Sequence, residues 1–163
     1  EEKALKMMKN NSFIKYSGRF VLVYLATYIA AAGLFLTIQS ALPASERVVL
    51  DFFKPYRSLD LMVVTSQVIR AGIMALVLYP FYEIIVRNKN GWLILFGALW
   101  GIALLGSLEP FPGSIEGMIY TKTTFLEHLM VIIVGGLQVL LFSWLFLKWE
   151  NRSNLRKRGE FHA

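Results

Sequence analysis

Cysteine is absent from this 163-residue chain. That excludes a disulfide framework, a thiol nucleophile, a CxxC redox pair and a thiolate metal site. Histidine is almost absent, with His128 and the near-terminal His162 as the two copies. A bis-histidine haem inside a helix bundle is therefore excluded, and a metal site is not expected. Charge is scarce as well, at 17% of residues against roughly 25% in an average soluble domain. No P-loop, HExxH, nucleophile elbow or dinucleotide fingerprint is present, so no catalytic motif and no cofactor are expected.

What the chain has in quantity is apolar residues, 56% of the total, with a mean hydropathy of +0.52. Length alone would suit one soluble domain. The charges, however, sit in short clusters between long apolar runs, and that pattern fits lipid. The first such run, Phe20 to Leu42, has 23 residues and no charge. At about 1.5 Å per residue it reaches about 34 Å, enough to cross a hydrocarbon core of roughly 30 Å. No small-residue cleavage pattern ends it, so it is expected to be an anchor rather than a cleaved signal, although the sequence opens on Glu1 rather than Met.

Three more runs follow: Leu61 to Val86, with Arg70 at its middle and Pro80 near its end; Gly91 to Leu108, the shortest; and Phe125 to Leu147. Pro80 removes a helical hydrogen bond and is expected to kink its span. The expected fold is an all-α membrane protein, a bundle of four transmembrane helices over residues 20–42, 61–86, 91–108 and 125–147. Residues 1–19 form a basic N-terminal segment and 148–163 a basic tail. The segment from Ser45 to Lys54, SERVVLDFFK, carries Val48, Val49, Phe52 and Phe53 at helical spacing with charges opposite. It reads as a short amphipathic helix in the outer interface, or as a lid over the spans. The loop from Pro110 to Thr124 holds two prolines, two glycines and several apolar residues, and is expected to be structured and to hug the bundle.

Four spans place both ends on one side of the membrane. The N-terminal segment, the loop at Arg87 and Lys89, and the tail carry twelve Lys and Arg; the opposite side carries Arg47, Lys54, Arg57 and Lys122. The positive-inside rule then puts both termini in the cytoplasm, in a plasma or inner membrane. The net charge of +6 is explained by this topology and does not call for nucleic acid. Its expected partners are the bilayer, with the basic N-terminal segment and tail near anionic headgroups, and other membrane chains.

Arg70 is the most informative residue. A charge near the bilayer centre costs roughly 2.5 to 3.5 kcal/mol on insertion scales. Side chains on a helix lean toward its N-terminus, which aims Arg70 at the outer side, where Glu109, Glu116, Glu127 and His128 gather. Pairing with Glu109 or Glu127 would fix helix register; a ligand or ion site and plain snorkelling are the alternatives. Glu127 and His128 are adjacent, so they point about 100° apart on a helix. They read first as polar caps at the interface and second as proton-handling groups. Gln67 and Gln138 complete the polar set inside the spans. Gly97 and Gly101 form a GxxxG pair, and Gly135 and Gly136 open a groove, both expected to serve close helix packing. Tyr16, Tyr56, Trp92, Tyr120, Trp144 and Trp149 read as interfacial anchors.

Two function classes stand in front: a non-enzymatic scaffold, sensor or accessory subunit working as a homo-oligomer or hetero-complex, and a small oligomeric channel or transporter with a path lined by Arg70, Gln138 and outer carboxylates. A membrane enzyme using outer Glu and His is a third.

Overall fold

A computed structural model describes residues 2–43, 61–105 and 112–160, and the surroundings of side chains within 12–43, 61–105, 112–119 and 121–153. Every regular element among them is helical. In order they are α1 (Glu2–Ala41), α2 (Leu61–Leu78), a 3₁₀ turn (Tyr79–Phe81), α3 (Tyr82–Arg87), α4 (Gly91–Leu105), α5 (Ile115–Tyr120) and α6 (Phe125–Glu160). The amphipathic segment at Ser45 to Lys54, and Glu109, lie outside the described residues.

Three stretches are long and apolar enough to cross a membrane: Ser12–Ala41, Leu61–Arg87 and Phe125–Ser153. The apolar helix Gly91–Leu105 is shorter, at 15 residues. Its length is about 22 Å at 1.5 Å per residue. The first and last helices run on past their apolar parts. α1 begins at Glu2 and α6 continues to Glu160, so the basic segments at both ends extend the helices they adjoin.

Pro80 acts where its chemistry requires. The ring cannot donate to the ladder, and the helix tightens into the 3₁₀ turn at Tyr79–Phe81 before resuming as α3. At the next junction the chain reverses through Asn88, Lys89 and Asn90. A Cβ at Gly91 would collide with the carbonyl oxygen of Ile85. Only glycine allows α4 to start this close to α3.

Packing is centred on α6 and α1, the last and first helices. α6 lies against α1 on one side and α4 on another, while α2 packs on α1 and α3 on α4. The core is a stripe on α1, with Tyr16, Phe20, Val23, Tyr24 and Thr27 all buried, spaced so that they share one helix face. Phe20 meets Phe142 at 4.8 Å and Phe146 at 5.1 Å between ring centroids, both edge to face, the geometry that aromatic quadrupoles favour. Thr27 returns its hydroxyl to the carbonyls of Val23 and Tyr24, which lets a polar residue sit in an apolar seam. On α2 the buried positions are Ala71 and Ala75. One turn apart and small, they let α2 come close to α1.

Candidate functional site

Three groups of polar side chains stand out, one at each end of the bundle and one between them.

The first is at the end where Arg19, Arg87 and Glu150 lie. Arg19 of α1 donates from Nη1 to Oε2 of Glu150 on α6 at 2.7 Å, and the side chains are 17% and 5% exposed. The other carboxylate oxygen, Oε1, accepts the hydroxyl of Tyr82 from α3 at 2.7 Å. Both carboxylate oxygens are thus engaged, as a buried charge requires. Tyr16 forms the floor: it is 3% exposed, and its ring lies 5.3 Å from Tyr82, 5.3 Å from Tyr79 and 5.6 Å from Phe146. Far from anchoring at an interface, Tyr16 is at the centre of the packing where three helical segments join. Neither Glu150 nor Tyr82 stood out in the sequence. One signal was present: Arg19 is the last charge before the first apolar run, and Glu150 is an acid just beyond the last one, so opposite charges leave the apolar layer at one level.

The second group is at the opposite end. His128 on α6 is 2% exposed, and its Nδ1 accepts the backbone N–H of Gly113 at 2.8 Å. That bond places the ring hydrogen of the neutral imidazole on Nε2, which has no partner among the described residues. Gly113 has φ +91°, and a Cβ there would sit 2.7 Å from Cγ1 of Val131. The turn therefore needs glycine for its backbone angle and for its approach to α6. Ser114 caps α5 by accepting from the N–H of Gly117 at 2.9 Å. Glu127 has a cap role too. Its Oε2 accepts the N–H of Thr124 at 2.6 Å and the hydroxyl of Thr124 at 2.9 Å, and the Thr124 hydroxyl accepts from the N–H of Glu127 at 3.4 Å. This reciprocal arrangement is a capping box, and T-x-x-E was legible as one. Glu116 falls in the first turn of α5. The loop is structured, and His128 ties it down.

The third group is on α2. The hydroxyl of Tyr24 donates to Oε1 of Gln67 at 3.2 Å, joining α1 to α2 on the face that also buries Ala71. Arg70 lies on another face. It is exposed and forms no ion pair among the described residues, whose two pairs are Arg19–Glu150 and Arg87–Glu83. Its neighbours along that face, Ile69, Ile73 and Val77, are exposed as well, at 57 to 60%. Gln138 is half-buried on α6. Thus the polar residues singled out in the sequence do not meet at one point: His128, Glu116 and Glu127 serve the end loop, Gln67 serves the α1–α2 contact, and Arg70 faces outward.

The glycines divide similarly. Gly136 packs against Trp100 of α4, where a Cβ would come within 3.0 Å of the indole Nε1. Around Gly97, Gly101 and Gly135 a Cβ would meet none of the described residues within 4 Å. Among the described residues no group of three or more His, Cys, Asp or Glu could hold a metal ion. No protein-family model, curated protein or solved structure matches this chain.

Proposed function

We propose that this chain is a non-enzymatic, polytopic membrane protein, a scaffold, sensor or accessory subunit that works in an oligomer or in a complex with another membrane protein. The observation that carries this reading is Arg70. It sits nine residues into the helical stretch that starts at Leu61, about 14 Å along the axis, on a face exposed in the single chain. Lipid is a poor neighbour for that guanidinium. A second chain bringing an acid or a carbonyl would shelter it, and would cover Ile69 and Ile73 with it.

In this reading α4 is the third of four spans, and the end that carries both termini faces the cytoplasm of a plasma or inner membrane. The exposed apolar side chains of α5, Ile115, Met118 and Ile119, would then rest in the outer interface. A channel path through Arg70, Gln67 and Gln138 has less support, because Gln67 is spent on Tyr24 and α2 packs on α1. Catalysis by Glu127 and His128 has less as well, because both hold the loop.

The test is the native mass of detergent-extracted protein with and without Arg70→Met. The expected outcome is a mass above one 18.6 kDa chain, reduced by the substitution. A lone chain at every concentration, unaffected by Arg70→Met, would overturn the reading.

A further inference from the structure

A groove of about 400 Å³ runs between α1 and α6 at the end that carries the termini, and it differs from every polar group described above. Leu22 and Ala26 line it from α1; Leu145, Lys148, Trp149 and Arg152 line it from α6. The four α6 residues follow one another at spacings of three, one and three, so they form a single helix face. We propose that this groove binds the headgroup and glycerol region of an anionic phospholipid, a site that rests on the membrane-spanning reading but not on any second chain.

The charge of the groove is wholly positive. Lys148 and Arg152 line it, no acid does, and neither cation forms an ion pair among the described residues. Glu150 lies between them in sequence, yet it is 4% exposed and turned to Arg19 and Tyr82 in the interior. The helix thus directs its acid inward and leaves two cations one turn apart on the groove. Lys148 also stacks its ammonium 4.3 Å from the centre of the Trp144 ring, a cation–π contact that holds it near the surface.

The position along the helix suits a lipid rather than a free anion. Lys148 is the first charge after the uncharged run that ends at Leu147, so the cationic end of the groove falls where α6 leaves the apolar layer. The other end, Leu22, Ala26 and Leu145, points back into that layer and is apolar. Leu22 is 58% exposed and Trp149 43%, so the groove is open along one side to a neighbouring lipid. Arg152 offers a fork of donors for phosphate oxygens, Lys148 a compact charge, and Trp149 an indole N–H. The apolar end would hold the first methylenes of an acyl chain.

The test is native mass spectrometry of the full chain in mild detergent at physiological salt, titrated separately with phosphatidylglycerol, phosphatidylcholine and inorganic phosphate. One phosphatidylglycerol per chain is expected to stay bound, with phosphatidylcholine about tenfold weaker and inorganic phosphate failing to displace it. The double variant Lys148→Gln with Arg152→Gln is expected to lose about tenfold in affinity, and Ala26→Phe, which fills the apolar end without touching charge, a similar amount. Arg156→Gln with Lys157→Gln removes as many charges further along α6 and should change binding less than about twofold. Equal retention of both lipids, equal loss in the two charge pairs, or full displacement by phosphate would overturn the site. The same spectra count chains per particle, so failure of the lipid site and failure of the oligomeric reading are read separately.

Discussion

Arg19 and Arg70 are both borne on helices long and apolar enough to cross a membrane, and they are treated in opposite ways. Arg19 is sheltered by a carboxylate at 2.7 Å, brought from α6 and steadied by a tyrosine of α3. Arg70 stands on a face of α2 that remains exposed. The difference lies in the neighbours. Around Arg19 three segments of the chain converge, whereas α2 leans on α1 and leaves its other side open. A charge in an apolar layer is tolerated when the fold completes its shell. Where the fold does not, the shell has to come from outside, and that is the physical content of the assembly proposed above.

The comparison breaks most sharply at Glu150. Replacing it by Leu leaves Arg19 inside the packing without its counter-charge and Tyr82 without its acceptor. The expected loss is about 3 to 5 kcal/mol of unfolding free energy, measured by thermal or denaturant unfolding in detergent. Adding Arg19→Met should recover the greater part of it. A Glu150→Leu protein as stable as the parent would show that this end is held by its aromatics alone.

A smaller effect is expected at the opposite end. Gly113→Ala puts a side chain at φ +91° and against Val131, so the turn that donates to His128 must open. A loss of about 1 to 3 kcal/mol is expected, seen as faster amide exchange through α5 while the aromatic core keeps its protection. Exchange rising equally at both ends would mean that the ends unfold as one unit.

The glycines sharpen the contrast between covered and uncovered faces. Gly136→Leu drives bulk into Trp100 and should cost about 1 to 3 kcal/mol. At Gly97 a Cβ would meet none of the described residues within 4 Å, and Gly97→Leu should leave single-chain stability within about 0.5 kcal/mol. If Gly97→Leu lowers the native mass in detergent, its face belongs to an interface between chains. At Thr124 the loss of the cap in Thr124→Ala is expected to destabilise by about 1 kcal/mol, confined to the first turn of α6.

Much of this is legible in the sequence. The apolar lengths, the break at Pro80 and the structured loop after Pro112 follow from residue chemistry read locally. Two further features were present in the letters and easy to pass over. Thr124-x-x-Glu127 is a capping box, which gives the reading of Glu127 as a polar cap a specific partner. Ala71 and Ala75 form a small-residue seam as good as Gly97 and Gly101, but alanine in an apolar run resembles filler. The GxxxG pair is a different case, because its motif says that helices can approach there and not whether the partner belongs to this chain. Tyr16 shows the limit of position as a guide: near the end of an apolar run an aromatic reads as an anchor, but the rings that bury it come from two distant places in the sequence, Tyr79 with Tyr82 and Phe146.

The sequence by itself determined that the chain is helical and where its long apolar stretches run, but not that α1 and α6 carry on through the basic segments to Glu2 and Glu160. Helical hydrogen bonds join residues four apart, and lipid-crossing length is a matter of counting. It also determined the net charge of +6, because that is a sum along the chain. Only the tertiary structure decided which faces meet. Helices that are apolar on nearly every side carry no strong directional signal, so nothing local says where Arg70 or Gly97 will point. The pairing of Arg19 with Glu150, 131 residues away, depends on how α1 and α6 are rotated about their own axes. That rotation is set by the fit of Phe20 against Phe142 and Phe146, a property of surfaces in contact.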